Sequence, residues 1–278
     1  MANESTVEQT IALYREVWGR FEQNSLVDKQ VPTSDLERLA RACKGDTVRL
    51  RRCIKRRIFG ESLAYILGYQ EFCGLSFVAD RRAYIPDWDS EFLVNGVIEV
   101  AQDLAAQRQR PLRILEVGVG GGCIAVTIKK RLGDKVRVMG IDIDAAALRL
   151  ASENIAAHNL DVDLCESDVF ESAPAGFVPD IIYSNPPWGN EDPIHYDQRP
   201  VTYFLQMPKI ASFALDGRTD LHERIIEGDR TRGWNAEILL YNGVMNEADV
   251  ARLGALCRHS RVIWLENHQY SLLHCRNG

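Results

Sequence analysis

Three carboxylates close three apolar runs in this sequence, and the chemistry they suggest is the capture of a positively charged nucleoside. Glu116 lies in Arg113-Ile114-Leu115-Glu116-Val117, just ahead of Gly118, Gly120 and Gly122, which recur at every second position. Missing side chains there permit positive φ and let a ligand lie on bare backbone. A carboxylate beside the glycines repels a pyrophosphate and attracts an ammonium, so the turn suits a cation. Twenty residues past Gly122, the run Val136 to Ile141 ends in Asp142, where an acid can take both hydroxyls of a ribose. Asp168 follows another short run, Val162 to Cys165, and can accept from an adenine amino group. An adenosine with a cationic amino-acid tail fits all three, and S-adenosylmethionine (SAM) is that ligand.

A second constellation is Asn185-Pro186-Pro187-Trp188-Gly189, directly after the apolar run Asp180 to Ser184. The prolines fix φ and waste no backbone N–H, and they push the residue before them into extended geometry. Asn185 and the carbonyl of Pro186 are then two acceptors side by side, which suits one NH₂ group. If both its hydrogens are taken, the nitrogen lone pair points away, toward a methyl on a sulfonium, in line for displacement. Trp188 offers a flat face for a planar group or a cation. The plainer alternative is a proline-stiffened turn with a buried asparagine. The glycine turn and the strand-end acids favour the catalytic reading.

These groups need a scaffold that brings strand ends together. From Leu112 onward, strands expected near 112–117, 136–142, 161–165 and 179–184 alternate with helices near 122–132 and 145–158. Such alternation predicts a parallel sheet with right-handed crossovers. A later helix, Asp220 to Arg230, precedes a strand at Glu237 to Tyr241. A helix from Asn246 to Arg258 then leads to Arg261–Leu265 and Tyr270–His274, a closing antiparallel pair. Upstream, Val7 to Asn24 carries Ile11, Tyr14, Val17, Trp18 and Phe21 at amphipathic spacing. Two further helices are expected, to about Cys43, capped by Thr33 or Ser34, and to Phe59, capped by Asp46. The expected organisation is a helical domain over 1–66, a β-hairpin linker over 67–88 and a ligand-binding α/β domain over 89–278. A helix starting at Pro86-Asp87 and running to about Arg108 opens that domain, with Phe92, Val94, Val97, Ile98 and Val100 on one face.

Composition narrows the function classes. The chain has 278 residues, 46% hydrophobic and 26% charged, the profile of a globular protein. It has no apolar run approaching membrane-span length and no signal-peptide pattern at Met1-Ala2-Asn3-Glu4, so the expected location is the cytosol. Seven scattered cysteines give no disulfide framework or zinc knuckle, and six histidines have no metal-ligand spacing, so no metal is expected. A net charge of −6 argues against a nucleic-acid partner. The local exception is Arg41 to Arg57, with eight Lys or Arg against the single Asp46: a solvated basic face or a docking patch for an acidic partner. His195, Tyr196 and Tyr203, in the polar and aromatic stretch after Trp188, are either a lid over an acceptor or an ordinary loop. Trp88 either lines the pocket or pins the linker helix.

At this point the chain resembles a known family, the class I SAM-dependent methyltransferases, and within it the HemK/PrmC glutamine N-methyltransferases that modify release factors. The resemblance runs through Tyr65-Ile-Leu-Gly-Tyr-Gln-Glu-Phe72, Phe77, Ile85-Pro86 and Asp89-Ser90-Glu91. It continues through the glycine turn, Gly140-Ile-Asp142-Ile143, Ser167-Asp168-Val169-Phe170, the Asn-Pro-Pro-aromatic loop, Ala214-Leu215-Asp216-Gly217 and Arg224-Ile225. It implies a Rossmann-like, mostly parallel sheet with an antiparallel closing strand and a small helical N-terminal domain. It also implies that Glu116, Gly118, Gly120 and Gly122 hold the amino-acid part of SAM, Asp142 its ribose and Asp168 its adenine, with Ile143 and Val169 packed on the base. Asn185, Pro186 and Trp188 would position the accepting nitrogen, with Pro187 beside them.

The chain departs from the family pattern around the acceptor. Asp87-Trp88 stands where the family has Arg-Pro, Tyr241 where it has Glu, and Trp188 where it has Tyr. A tight connection, Glu266 to Gln269, replaces a longer stretch before the last strand. The expected reaction is N-methylation of an amide or amine, on a protein side chain or a small molecule. The alternative keeps SAM and changes the bond: its own α-amine attacks the γ-carbon, giving azetidine-2-carboxylate and methylthioadenosine.

Overall fold

The computed structural model describes residues 4–21, 31–187, 206–213, 219–243, 245–265 and 270–278. The described residues fall into two compact units, one up to Tyr69 together with Gln206 and Met207, the other from Gln70 to Pro187 and from Pro208 onward. Among the described residues no helix is long and apolar enough to cross a membrane.

The first unit is built from α1 (Glu4–Gly19), α2 (Thr33–Cys43), α3 (Thr47–Ile58) and α4 (Leu63–Leu67). Apolar residues three and four apart put Leu36, Leu39 and Cys43 of α2 against Cys53, Ile54 and Ile58 of α3, with Val17 of α1 and Ile66 of α4. Asp46 caps α3 by accepting from the Arg49 N–H at 2.9 Å. Neither Thr33 nor Ser34 caps α2: Pro32 stands at that position with its fixed φ, and the helix starts at Thr33 itself. Among the described residues, four of the eight basic side chains from Arg41 to Arg57 meet acids within the unit. Arg51 meets Glu16 at 2.8 Å, Arg56 meets Glu61 at 2.6 Å, Arg57 meets Asp35 at 2.8 Å and Arg41 meets Glu37 at 3.7 Å.

The second unit opens with a hairpin of β1 (Tyr69–Phe72) and β2 (Leu75–Val78). Its elements are α5 (Ser90–Ala105), β3 (Leu112–Val117), α6 (Cys123–Leu132), β4 (Val136–Asp142), α7 (Ala145–Ala157), β5 (Val162–Glu166) and β6 (Ile181–Ser184). After these come α8 (Lys209–Ser212), α9 (Asp220–Arg232), β7 (Glu237–Gly243), α10 (Glu247–Ala255), β8 (His259–Trp264) and β9 (Tyr270–Arg276). The sheet order is β5-β4-β3-β6-β7-β9-β8, parallel through β7 and antiparallel at β9 and β8.

Period-two alternation sends one set of strand residues to each face. Ile114, Val138, Tyr183, Leu239 and Tyr241 pack with Leu93, Val94 and Val97 of α5 and with α6. Leu115, Val117, Ile141, Ile182 and Leu240 pack with Ile225 and Ile226 of α9 and with Val250 and Leu253 of α10. The α5 stripe adds Leu93 to the expected residues, with Phe92 and Ile98 partly buried against the same core; the helix begins at Ser90, after a turn in which the Ser90 N–H bonds the Asp87 carbonyl. The chain leaves β3 toward β4 and β5, then returns to β6 on the other side of β3. Such a reversal opens a crevice at the carboxyl ends of the two central strands, where sheets of this kind bind ligands.

Candidate active site

The glycine turn begins where β3 ends. Gly118, Gly120 and Gly122 have φ of 76°, 52° and 79°, so all three use the left-handed region that side chains disfavour. At Gly122 space is short as well: a Cβ there would lie 3.2 Å from that of Ala151, so the bare turn lets α6 start against α7. The N–H groups of Gly118 and Val119 both bond the Ile141 carbonyl, at 2.8 and 2.9 Å, which ties the turn to the end of β4.

Asp142 completes that tie. One carboxylate oxygen accepts from the Gly120 N–H at 2.8 Å and the other from the Asp144 N–H at 2.9 Å. Burial raises the Asp142 carboxyl above its ordinary range, against the pull of those two N–H groups. The Ile143 N–H also bonds this carboxylate; of about four lone-pair sites, three are then taken and one is left for a further donor such as a ribose hydroxyl. Next to it, Ile143 is 48% exposed, an apolar face beside a polar one.

Glu116 is 2% exposed at the end of β3. The Tyr183 hydroxyl donates to its Oε2 at 2.9 Å, and the Ala125 N–H also bonds it. Burial pushes the Glu116 carboxyl up to about 8, and the two donors offset only part of that. Burial holds the proton on this acid, and a cation beside it would favour the ionised form.

Asp168 is paired: Arg224 of α9 reaches its Oδ1 at 2.7 Å. Val169 adopts φ of 46°, a strained conformation for a β-branched residue, and its side chain is buried with Phe170 in the core. Ile143 is therefore the apolar side chain placed in the open near these acids, and Val169 is not.

Asn185 follows β6, one residue past the Ser184–Val117 pair. The Ser184 hydroxyl donates to the Val117 carbonyl at 2.7 Å and locks the two strand ends together. The Asn185 Nδ2 donates to Ser90 Oγ at 3.2 Å, while its Oδ1 is buried and has no partner among the described residues. Ser90 thus sets the orientation of the amide. Pro186 is buried and Pro187 half-buried. Trp188, His195, Tyr196 and Tyr203 lie outside the described residues. Trp88 is 78% exposed, so it does not pin α5.

Some groups here carried no role in the sequence. Tyr183 is one apolar-looking letter in a strand, and its bond to Glu116 depends on sheet order. Ser90 and Arg224 stood only inside motifs, and each proves to hold a candidate residue in place. His222, in the first turn of α9, is buried, which pushes its imidazole down to about 4 and keeps it neutral. Tyr241 is buried, stacked on Tyr270 at 6.0 Å with its hydroxyl beside Asp89, and burial raises the phenol above its ordinary value. Among the described residues no three His, Cys, Asp or Glu side chains converge as a metal site would require.

A reversed parallel sheet with a glycine turn and strand-end acids at its switch point defines the class I SAM-dependent methyltransferases. The solved METTL16 catalytic domain, in complex with a MAT2A 3′UTR hairpin, shares this fold with a TM-score of 0.57 at 16% identity, over 96% of this chain and 90% of that one. The Methyltransferase small domain family matches residues 91–201. The release factor glutamine methyltransferase of Nitratidesulfovibrio vulgaris is 30% identical over 215 residues, covering 76% of this chain and 69% of that protein. That of Koribacter versatilis is 34% identical over 172 residues, covering 62% and 59%. The chain belongs to this HemK/PrmC-like family of SAM-dependent methyltransferases. It spans between 46% and 60% of the length of the first curated relatives it matches.

Proposed function

We propose that this protein is an N-methyltransferase that acts in the cytosol on an amide or amine nitrogen of a protein side chain or small molecule. One observation carries this reading: the Oδ1 of Asn185 at the carboxyl end of β6 is buried with no partner among the described residues. Leaving such an acceptor unsatisfied costs about 1–3 kcal/mol, and the N–H of an amide or amine supplies the missing donor.

SAM, when bound, supplies the methyl group and leaves as S-adenosylhomocysteine. Glu116 and the glycine turn would hold its amino-acid part, Asp142 its ribose, and Asp168 with Ile143 and the Val169 backbone its adenine. Asn185 Oδ1 and the Pro186 carbonyl then take the two hydrogens of the accepting nitrogen and turn its lone pair outward. A neutral amide needs no strong base, so the work of these residues is orientation, and their carbonyl dipoles offset the positive charge that develops on nitrogen. In this reading the chemistry belongs to residues 89–278, with 1–66 as a helical domain and 67–88 as linker. The names of the relatives support a glutamine side chain of a release factor. The phenol of Tyr241 beside Asp89 supports a different amide or amine.

A second reading is favoured by Glu116. Its carboxyl is pushed up to about 8, so once ionised beside the amino group of SAM it would be basic enough to take that group's proton. The freed amine then displaces methylthioadenosine from the γ-carbon and closes azetidine-2-carboxylate. Incubation with SAM, alone and with a panel of glutamine peptides and free amines, separates the two. S-adenosylhomocysteine formed only with an acceptor is expected; methylthioadenosine from SAM alone would replace the first reading with the second.

A further inference from the structure

Cys257 and Cys275 bring their sulfurs to 2.8 Å from different elements. Cys257 stands in the turn between α10 and β8; Cys275 stands on β9, opposite Ile238 of β7 and Ser260 of β8. Ile238 lies at the amino end of β7, so this contact sits at the opposite end of the parallel strands from Asn185. Both residues are free thiols.

We propose that Cys257 and Cys275 form a disulfide when the protein meets hydrogen peroxide, a modification site separate from the candidate active site. Cys257 is half-buried and open to a small oxidant, whereas Cys275 is 2% exposed and meets the Cys257 sulfur. The two thiols are also unequal. Contact with the Cys275 thiol, aided by the Arg230 guanidinium, holds the Cys257 thiol below its ordinary value. Contact with Cys257, together with burial, pushes Cys275 up. Cys257 is thus the attacking sulfur and Cys275 the resolving one.

The Cys257 thiolate attacks one peroxide oxygen, the O–O bond breaks, and a proton completes the departing hydroxide as water. The sulfur is left as a sulfenic acid. The Cys275 sulfur attacks it, the S–O bond breaks, and the hydroxyl leaves with the Cys275 proton as a second water. Two thiols lose two electrons in all, and the peroxide gains them. The new bond ties the turn after α10 to β9.

The test treats the full chain with stoichiometric hydrogen peroxide, then denatures, alkylates and digests it. The expected product carries two fewer alkyl groups than its seven cysteines. It contains a peptide joining Cys257 to Cys275, and its Tm is higher by about 5 °C. Cys257→Ser is expected to lose both the crosslink and the Tm gain while keeping the untreated Tm. Seven alkylated cysteines, a sulfenic acid persisting on Cys257, or a bond between another pair such as Cys43 and Cys53 would overturn the proposal.

Discussion

The hydroxyl of Tyr183 donates to the carboxyl of Glu116 at 2.9 Å, and both side chains are buried where the two central strands end. In the proposed function, Glu116 is the group that meets the ammonium of SAM. Its carboxyl titrates near 8, so at pH 7 it is mostly protonated, whereas facing an ammonium it is ionised. SAM binding at pH 7 is therefore expected to release close to one proton, and affinity to rise with pH up to about 8. Calorimetry in buffers of different ionisation enthalpy measures this directly, and Glu116→Gln should abolish the release.

The same shift bears on stability. The folded protein holds a proton on Glu116 that the unfolded chain loses near 4.5, so this group's contribution is present below that pH and is lost as pH rises toward 8. Urea titrations across this window should show a steeper loss of stability in the native protein than in Glu116→Gln. Equal slopes would mean that the group is not buried in its protonated form.

Asp142→Ala is expected to abolish measurable SAM binding, because the carboxylate both fixes the turn through Gly120 and keeps a lone pair for a ligand. Arg224→Ala should act differently. Its pair with Asp168 is over a third exposed on each side, so it is worth at most about 1 kcal/mol to folding. Its effect should appear in SAM affinity, with Tm nearly unchanged.

Gly122→Ala should lower Tm. The left-handed backbone costs an L-residue about 1–2 kcal/mol, and the added methyl must also displace Ala151, 3.2 Å away. Gly176→Ala, where a Cβ would meet nothing within 4 Å, is the control and should leave Tm unchanged.

Much of this scaffold was legible from the order of residues. The expected 112–117 and 136–142 strands coincide with Leu112–Val117 and Val136–Asp142, because a buried parallel strand writes itself as a continuous apolar run bounded by turn residues. The closing strands shifted: the first begins at His259 rather than Arg261, since its first three residues are polar and exposed and give no apolar signal. The positions of the strand-end acids and of the glycine turn were readable because each needs only its own strand and turn. The bond between Tyr183 and Glu116 was not, because the residues are 67 positions apart and meet only once β6 returns beside β3. The Ser90 bond to Asn185, across 95 positions, was hidden for the same reason.

Ser90→Ala tests how far that bond matters. It frees the Asn185 amide to rotate, so turnover should fall roughly tenfold, the worth of one hydrogen bond, with SAM affinity unchanged. A variant that loses SAM affinity equally would place Ser90 in cofactor binding instead.

The most direct measurement follows methyl-labelled SAM through the native protein and Asn185→Ala, with an accepting amide or amine supplied, and identifies both the nucleoside product and the labelled atom by mass spectrometry. The expected result is S-adenosylhomocysteine with label on the acceptor nitrogen from the native protein, and a turnover at least about a hundredfold lower from Asn185→Ala despite native SAM binding. Label transfer at the native rate by Asn185→Ala, or methylthioadenosine as the only nucleoside product, would contradict the account.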